Sequence, residues 1–118
     1  MTTKEVAFAL YELCSIGKMK EAIETLYADN AVAIEADDSM GNKVTEGKTA
    51  ILEKEEQFNS YIEAFYGAKI SEPLVAGSYF SLSWWVDWQM KGQERMQIEE
   101  ICLYKVEDGK IVSAQFFY

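Results

Sequence analysis

Apolar positions follow two regimes along the chain. In the first half they recur three and four residues apart. Val6, Leu10, Leu13 and Cys14 form one such stripe, with Ala7 and Tyr11 beside it, and predict a helix. Gly17 follows as a candidate left-handed cap. Met19, Ala22, Ile23, Leu26 and Tyr27 predict a second helix, from Met19 to Tyr27. Residues 31–35 read as a short strand, and Asp37, Asp38, Ser39, Met40, Gly41, Asn42 and Lys43 as a turn. Gly47 leads into a third helix over about 48–60, with Ala50, Ile51, Lys54 and Phe58 as a partial stripe.

The second half alternates. Residues 68–76 predict a strand closed by Gly77. Phe80, Leu82, Trp84, Val86, Trp88 and Met90 alternate with Ser81, Ser83, Trp85, Asp87 and Gln89. Lys91-Gly92-Gln93 reads as a hairpin turn. Ile98, Glu100, Cys102, Tyr104 and Val106 then share a face, and Asp108-Gly109 marks a second hairpin before a last strand, Ile111 to Tyr118. The expected fold is α+β: three N-terminal helices packed on a curved antiparallel sheet, a cone with a cavity between helices and sheet.

Composition narrows the function. With 118 residues the chain makes one domain, and 49% apolar residues supply a core without staples. No apolar run approaches a membrane span, and no signal peptide is visible in MTTKEVAFAL, so a cytoplasmic location is expected. Acidic residues outnumber basic ones, 20 to 11, for a net charge of −9. Nucleic acid and anionic membranes are therefore not expected partners. The chain has no histidine. That removes Ser-His and Cys-His nucleophiles and His-ligated metals, leaving Asp, Glu, Tyr, Lys and Cys for proton chemistry. The two cysteines, Cys14 and Cys102, form no CxxC and read as buried thiols.

The succession Leu13-Cys14, Gly17-Lys18, Glu21-Ala22-Ile23, Leu26-Tyr27-Ala28-Asp29 and Ile34-Glu35 resembles the SnoaL-like branch of the NTF2-like superfamily. So do Glu46 to Ile51 and the ending from Glu99 to Val112, closing on Gln115-Phe116-Phe117-Tyr118. The superfamily holds ketosteroid isomerase, SnoaL-type cyclases, limonene epoxide hydrolase, scytalone dehydratase and non-catalytic association domains, so the resemblance implies a fold and not one activity.

The resemblance implies a carboxylate base near the end of the first strand. Counting forward from Leu26 places it at Glu35; counting back from Gly47 places it at Asp38. Glu35 is preferred, with Asp37 on the same face if the strand extends. Ala33 and Ile34 are apolar and no histidine or arginine is nearby in sequence, so desolvation is expected to raise the pKa of Glu35. The isomerase's second acidic group falls on Cys102, a poor oxyanion donor, and Glu100 on the same face could replace it. Tyr11 and Tyr104 are phenol candidates for polarising a carbonyl. Trp84, Trp88, Cys102 and Phe116 are expected to wall the cavity. The implied ligand is a small apolar carbonyl-bearing molecule, handled without cofactor or metal by an isomerase, cyclase or dehydratase; the alternative is a non-catalytic dimeric binding domain. Trp85, Ile101 and Leu103 are expected on the sheet's outer face, which is too apolar for solvent and implies a homodimer.

Overall fold

A computed structural model describes every residue except Met40, one of the seven turn residues named above. Helix α1 spans Thr3–Ser15. At its start the Thr2 hydroxyl accepts from the Glu5 N–H at 3.1 Å, and the Thr2 N–H donates to the Glu5 carboxylate at 2.9 Å. This reciprocal box satisfies donors the first turn leaves free. Gly17, at φ +76°, turns the chain after α1. Helix α2 is Met19–Leu26, and Tyr27 already has extended backbone, opening strand β1, Tyr27–Ile34. Tyr27 thus belongs to the strand. The polar Asp29 and Asn30 break its alternation, which hid its first four residues from the pattern.

Strand β2, Val44–Glu46, pairs antiparallel with β1 and is too short to leave a periodic signal. Helix α3 is Lys48–Ser60. Strands β3, Ile62–Ile70, and β4, Leu74–Ala76, replace the single strand expected over 68–76. The break at Ser71, Glu72 and Pro73 fits a proline that has no N–H for a ladder. Strands β5, Tyr79–Met90, β6, Arg95–Glu107, and β7, Lys110–Phe117, follow the alternation closely.

The sheet runs β2-β1-β7-β6-β5-β3, with β4 also on β5. All pairings are antiparallel except β1 with β7. The sheet is therefore mixed, a correction to the fully antiparallel expectation. Parallel neighbours need a long crossover, and here everything between residues 34 and 110 supplies it.

The helices cover the face that carries Phe80, Leu82, Cys102 and Tyr104, all buried. Val6, Leu10, Ile23, Tyr27 and Ile111 complete the packed end, where Phe80 stacks on Tyr104 at 4.7 Å between centroids. Further along the same face Trp84 lies opposite Glu100, Val86 opposite Ile98, and Trp88 opposite Met96. There Trp84, Trp88, Ile98 and Glu100 are only half-buried. The narrow end of the cone is packed and the wide end reaches solvent.

Candidate functional site

Near the wide end, carboxyl groups from three elements lie within electrostatic reach of one another. Glu35 is the first residue after β1. Its N–H donates to the Lys43 carbonyl at 2.7 Å, which anchors the turn. Its side chain is about a quarter exposed, and one oxygen accepts from the Tyr118 hydroxyl at 3.1 Å. The other lies 4.0 Å from the Lys54 ammonium. No histidine or arginine is near it in sequence, and the fold supplies its partners from elsewhere: α3 brings in Lys54, and the end of the chain brings in Tyr118. Partly out of water and beside the Glu35 charge, the Tyr118 phenol is pushed up to about 12.

Glu100 on β6 is the most perturbed carboxyl. Burial pushes its pKa from 4.5 up to about 7, and the negative charges of Glu35 and Glu55 push the same way. The Cys102 thiol, donating to Glu100 at 3.6 Å, works against them. Glu55 on α3 is also raised, chiefly by burial and then by Glu35, against a 3.4 Å donation from Asn59. Glu55 did not emerge from the sequence reading. The signal was present: Ile51, Glu55 and Phe58 sit four and three apart, so an acid interrupts the apolar stripe of α3.

The remaining candidates divide. Tyr104 has no exposed surface, and its hydroxyl lies beside the Cys102 thiol with no well-aligned hydrogen-bond partner. Burial holds its pKa well above the phenol range. Cys102 is buried and its thiol is likewise pushed up by burial. Cys14 is pushed up to about 12 by the same cause, so neither cysteine is a thiolate near neutral pH. Trp84, Trp88 and Phe116 are half-buried on the inner face. Trp88 packs against Phe58 at 5.3 Å, and its indole N–H has no partner. Tyr11 is not brought to the carboxyls by any hydrogen bond; its ring meets Phe8 edge-on at 6.3 Å, and Leu10 takes the fully buried position. Asp37 and Asp38 are exposed, and Asp37 accepts from Ser39 within the turn. Among the described residues no cluster of acids and thiols has the arrangement to hold a metal ion.

The outer face is organised separately. Asp87 is almost buried there because Arg95 grips it at 2.8 and 3.0 Å and Gln97 donates at 2.9 Å. Arg95 also stacks on Tyr66 at 3.8 Å. Trp85 is half-buried rather than exposed, lying over Gly67, with Lys69 6.0 Å from its ring. A hollow of about 540 Å³ lies beside it, lined by Lys69, Ser83, Glu99, Ile101 and Phe117 and also by Trp84 and Glu100. A second, of about 470 Å³, lies between the N-terminus and the Glu107–Gly109 turn. Neither is enclosed between helices and sheet, although the first borders Trp84 and Glu100.

With this geometry in view, the SnoaL-like domain family matches residues 1–118. The chain belongs to the SnoaL-like family. A crystal structure from Mesorhizobium loti, described as a SnoaL-like polyketide cyclase, is 32% identical over the whole of both chains, with a TM-score of 0.94. A protein from Catenulispora acidiphila with a ketosteroid isomerase-like fold, solved with trimethylamine, is 20% identical, TM-score 0.75, covering 99% of this chain and 87% of its own. TerC, co-crystallised with polyporic acid, is 11% identical, TM-score 0.78, covering 99% and 92%. The last two share the fold alone. A search of curated proteins finds no match. In this SnoaL-like domain no described helix is long and apolar enough to cross a membrane.

Proposed function

We propose that this SnoaL-like domain binds a small apolar carbonyl-bearing molecule in the wide end of its cone and moves a proton on it, in the manner of a cofactor-independent isomerase, cyclase or dehydratase. Glu35 is the base. Its neighbours Tyr118, donating at 3.1 Å, and Lys54, 4.0 Å away, fix its direction. Glu100, neutral below about pH 7, is the donor that steadies negative charge developing on the carbonyl oxygen. The aromatic walls, Trp84, Trp88 and Phe116, take the apolar body. The observation that carries this reading is the contrast between two carboxyls at one mouth. One is paired with a cation and a phenol, and the other is held neutral by burial and like charge. A carboxyl kept protonated by burial can donate where a hydrogen-bonded carboxyl at the same mouth accepts.

A second reading, a non-catalytic dimeric binding domain, is favoured by the 540 Å³ hollow that reaches the outer-face residues Trp85, Ile101 and Phe117. Trp85, Ile101 and Phe117, flanked by Lys69 and Glu99, offer an apolar patch with both signs of charge, which suits an isologous contact between two copies.

The experiment is a titration with 2-tetralone, an apolar ketone, read by the three indole N–H signals. Shifts at Trp84 and Trp88 with Trp85 unmoved support the cone site. Shifts at Trp85 alone move the ligand to the outer face and favour the second reading.

A further inference from the structure

We propose that the Cys102 thiol is a positioning residue that fixes which oxygen of Glu100 carries the acid proton. The inference deepens the reading above and rests on Glu100 being the donor to a guest's carbonyl oxygen. Cys102 and Glu100 lie two apart on the inner face of β6, and the thiol donates to Glu100 Oε1 at 3.6 Å. A protonated carboxyl has one good acceptor, its carbonyl oxygen; the oxygen that holds the proton accepts poorly. The S–H therefore makes Oε1 the carbonyl oxygen and leaves the proton on Oε2. Among the described residues Oε2 has no hydrogen-bond partner, and it is not one of the buried polar atoms sealed from water. The free donor is thus on the oxygen that reaches open space.

The thiol is itself held in place. Cys102 is 1% exposed, with Leu82 opposite it on β5 and Phe116 opposite it on β7. The Tyr104 hydroxyl lies beside it. Burial keeps the sulfur protonated beyond neutral pH, so the thiol stays a donor and no proton leaves it. No other described side chain donates to Glu100. Glu35 and Glu55 act on Glu100 through their charge, and neither bonds to the thiol. Without the S–H, Glu100 is free to carry its proton on either oxygen.

The infrared S–H stretch tests the contact in a Cys14→Ala background, where Cys102 is the only thiol. The band should move to lower frequency as Glu100 ionises through about pH 7, because an ionised oxygen is the stronger acceptor. In Glu100→Gln it should stand still with pH. Exchange of the α-protons of 2-tetralone tests the consequence. Cys102→Ala should lower kcat about tenfold and leave KM within about twofold, since a misdirected donor is missed only as charge develops. Cys102→Ser keeps a donor and should recover part of that loss. A band that ignores pH, or that still moves in Glu100→Gln, overturns the inference. So does Cys102→Ala exchanging at the wild-type rate, or serine and alanine losing equally. If wild type catalyses no exchange, the function proposed above fails and the band alone decides: a band that tracks Glu100 upholds the assigned proton, and one that does not overturns it.

Discussion

Replacing Glu100 by glutamine removes one titrating group and keeps the shape of its neutral form. In the native state this carboxyl holds its proton up to about pH 7, whereas in the unfolded chain it loses it near 4.5. Below 4.5 both states carry the proton and the group has no effect on stability. Between 4.5 and 7 the unfolded state ionises while the native state does not, so stability falls as pH rises. Above 7 the loss is complete and flat. At about 1.4 kcal/mol per pH unit the full span amounts to about 3 kcal/mol. Glu100 is only partly out of water, so we expect about 2 kcal/mol. Glu100→Gln should therefore match wild type within about 0.5 kcal/mol at pH 4.5 and exceed it by about 2 kcal/mol at pH 8. In a chain of 118 residues that raises Tm by roughly 8 °C. Urea unfolding at a series of pH values gives the difference curve directly. Glu55 titrates in both proteins and largely cancels from it. A flat difference, or a variant less stable than wild type at pH 8, would refute the reasoning, because Glu100 would then be ionised and compensated in the fold.

Two further outcomes follow from particular contacts. Tyr104→Phe deletes a buried hydroxyl that has no partner, so it should raise stability by about 1 kcal/mol in urea unfolding; a loss above about 1 kcal/mol would mean the hydroxyl is bonded. Trp85→Glu places charge at the centre of the outer apolar patch and should convert a dimer to a monomer by sedimentation at micromolar concentration; wild type sedimenting as a monomer would end the dimer proposal.

Most of the fold was legible because its elements are long and amphipathic. Residues 80–90 and 98–106 alternate cleanly, and helices α1 and α2 keep their stripes. What the pattern hid was short, polar or non-local. β2 has three residues, and β1 opens through Asp29 and Asn30. The parallel pairing of β1 with β7 is a property of topology that no local period encodes. At the site, counting along the chain brought Glu35 and Glu100 forward, and the fold puts both at the wide end. Lys54 entered only as part of a helical stripe, and Tyr118 only as the end of the last strand; neither signalled its contact with Glu35. Such contacts join positions 19 and 83 residues apart in sequence, which a search confined to neighbouring residues misses. Glu55 was overlooked because an acid in a helix is read by default as a solvated face. Its spacing from Ile51 and Phe58 argued otherwise.

The central claim is that Glu35 takes a proton from an apolar carbonyl compound held at the wide end of the cone. Exchange of the α-protons of 2-tetralone in D₂O, followed by NMR, tests it without knowledge of the natural substrate. The account predicts exchange faster than buffer with wild type, and exchange at the buffer rate with Glu35→Gln, while the ketone still shifts the Trp84 and Trp88 indoles of that variant. Binding at those indoles with no acceleration by wild type, or acceleration that survives Glu35→Gln, would contradict it.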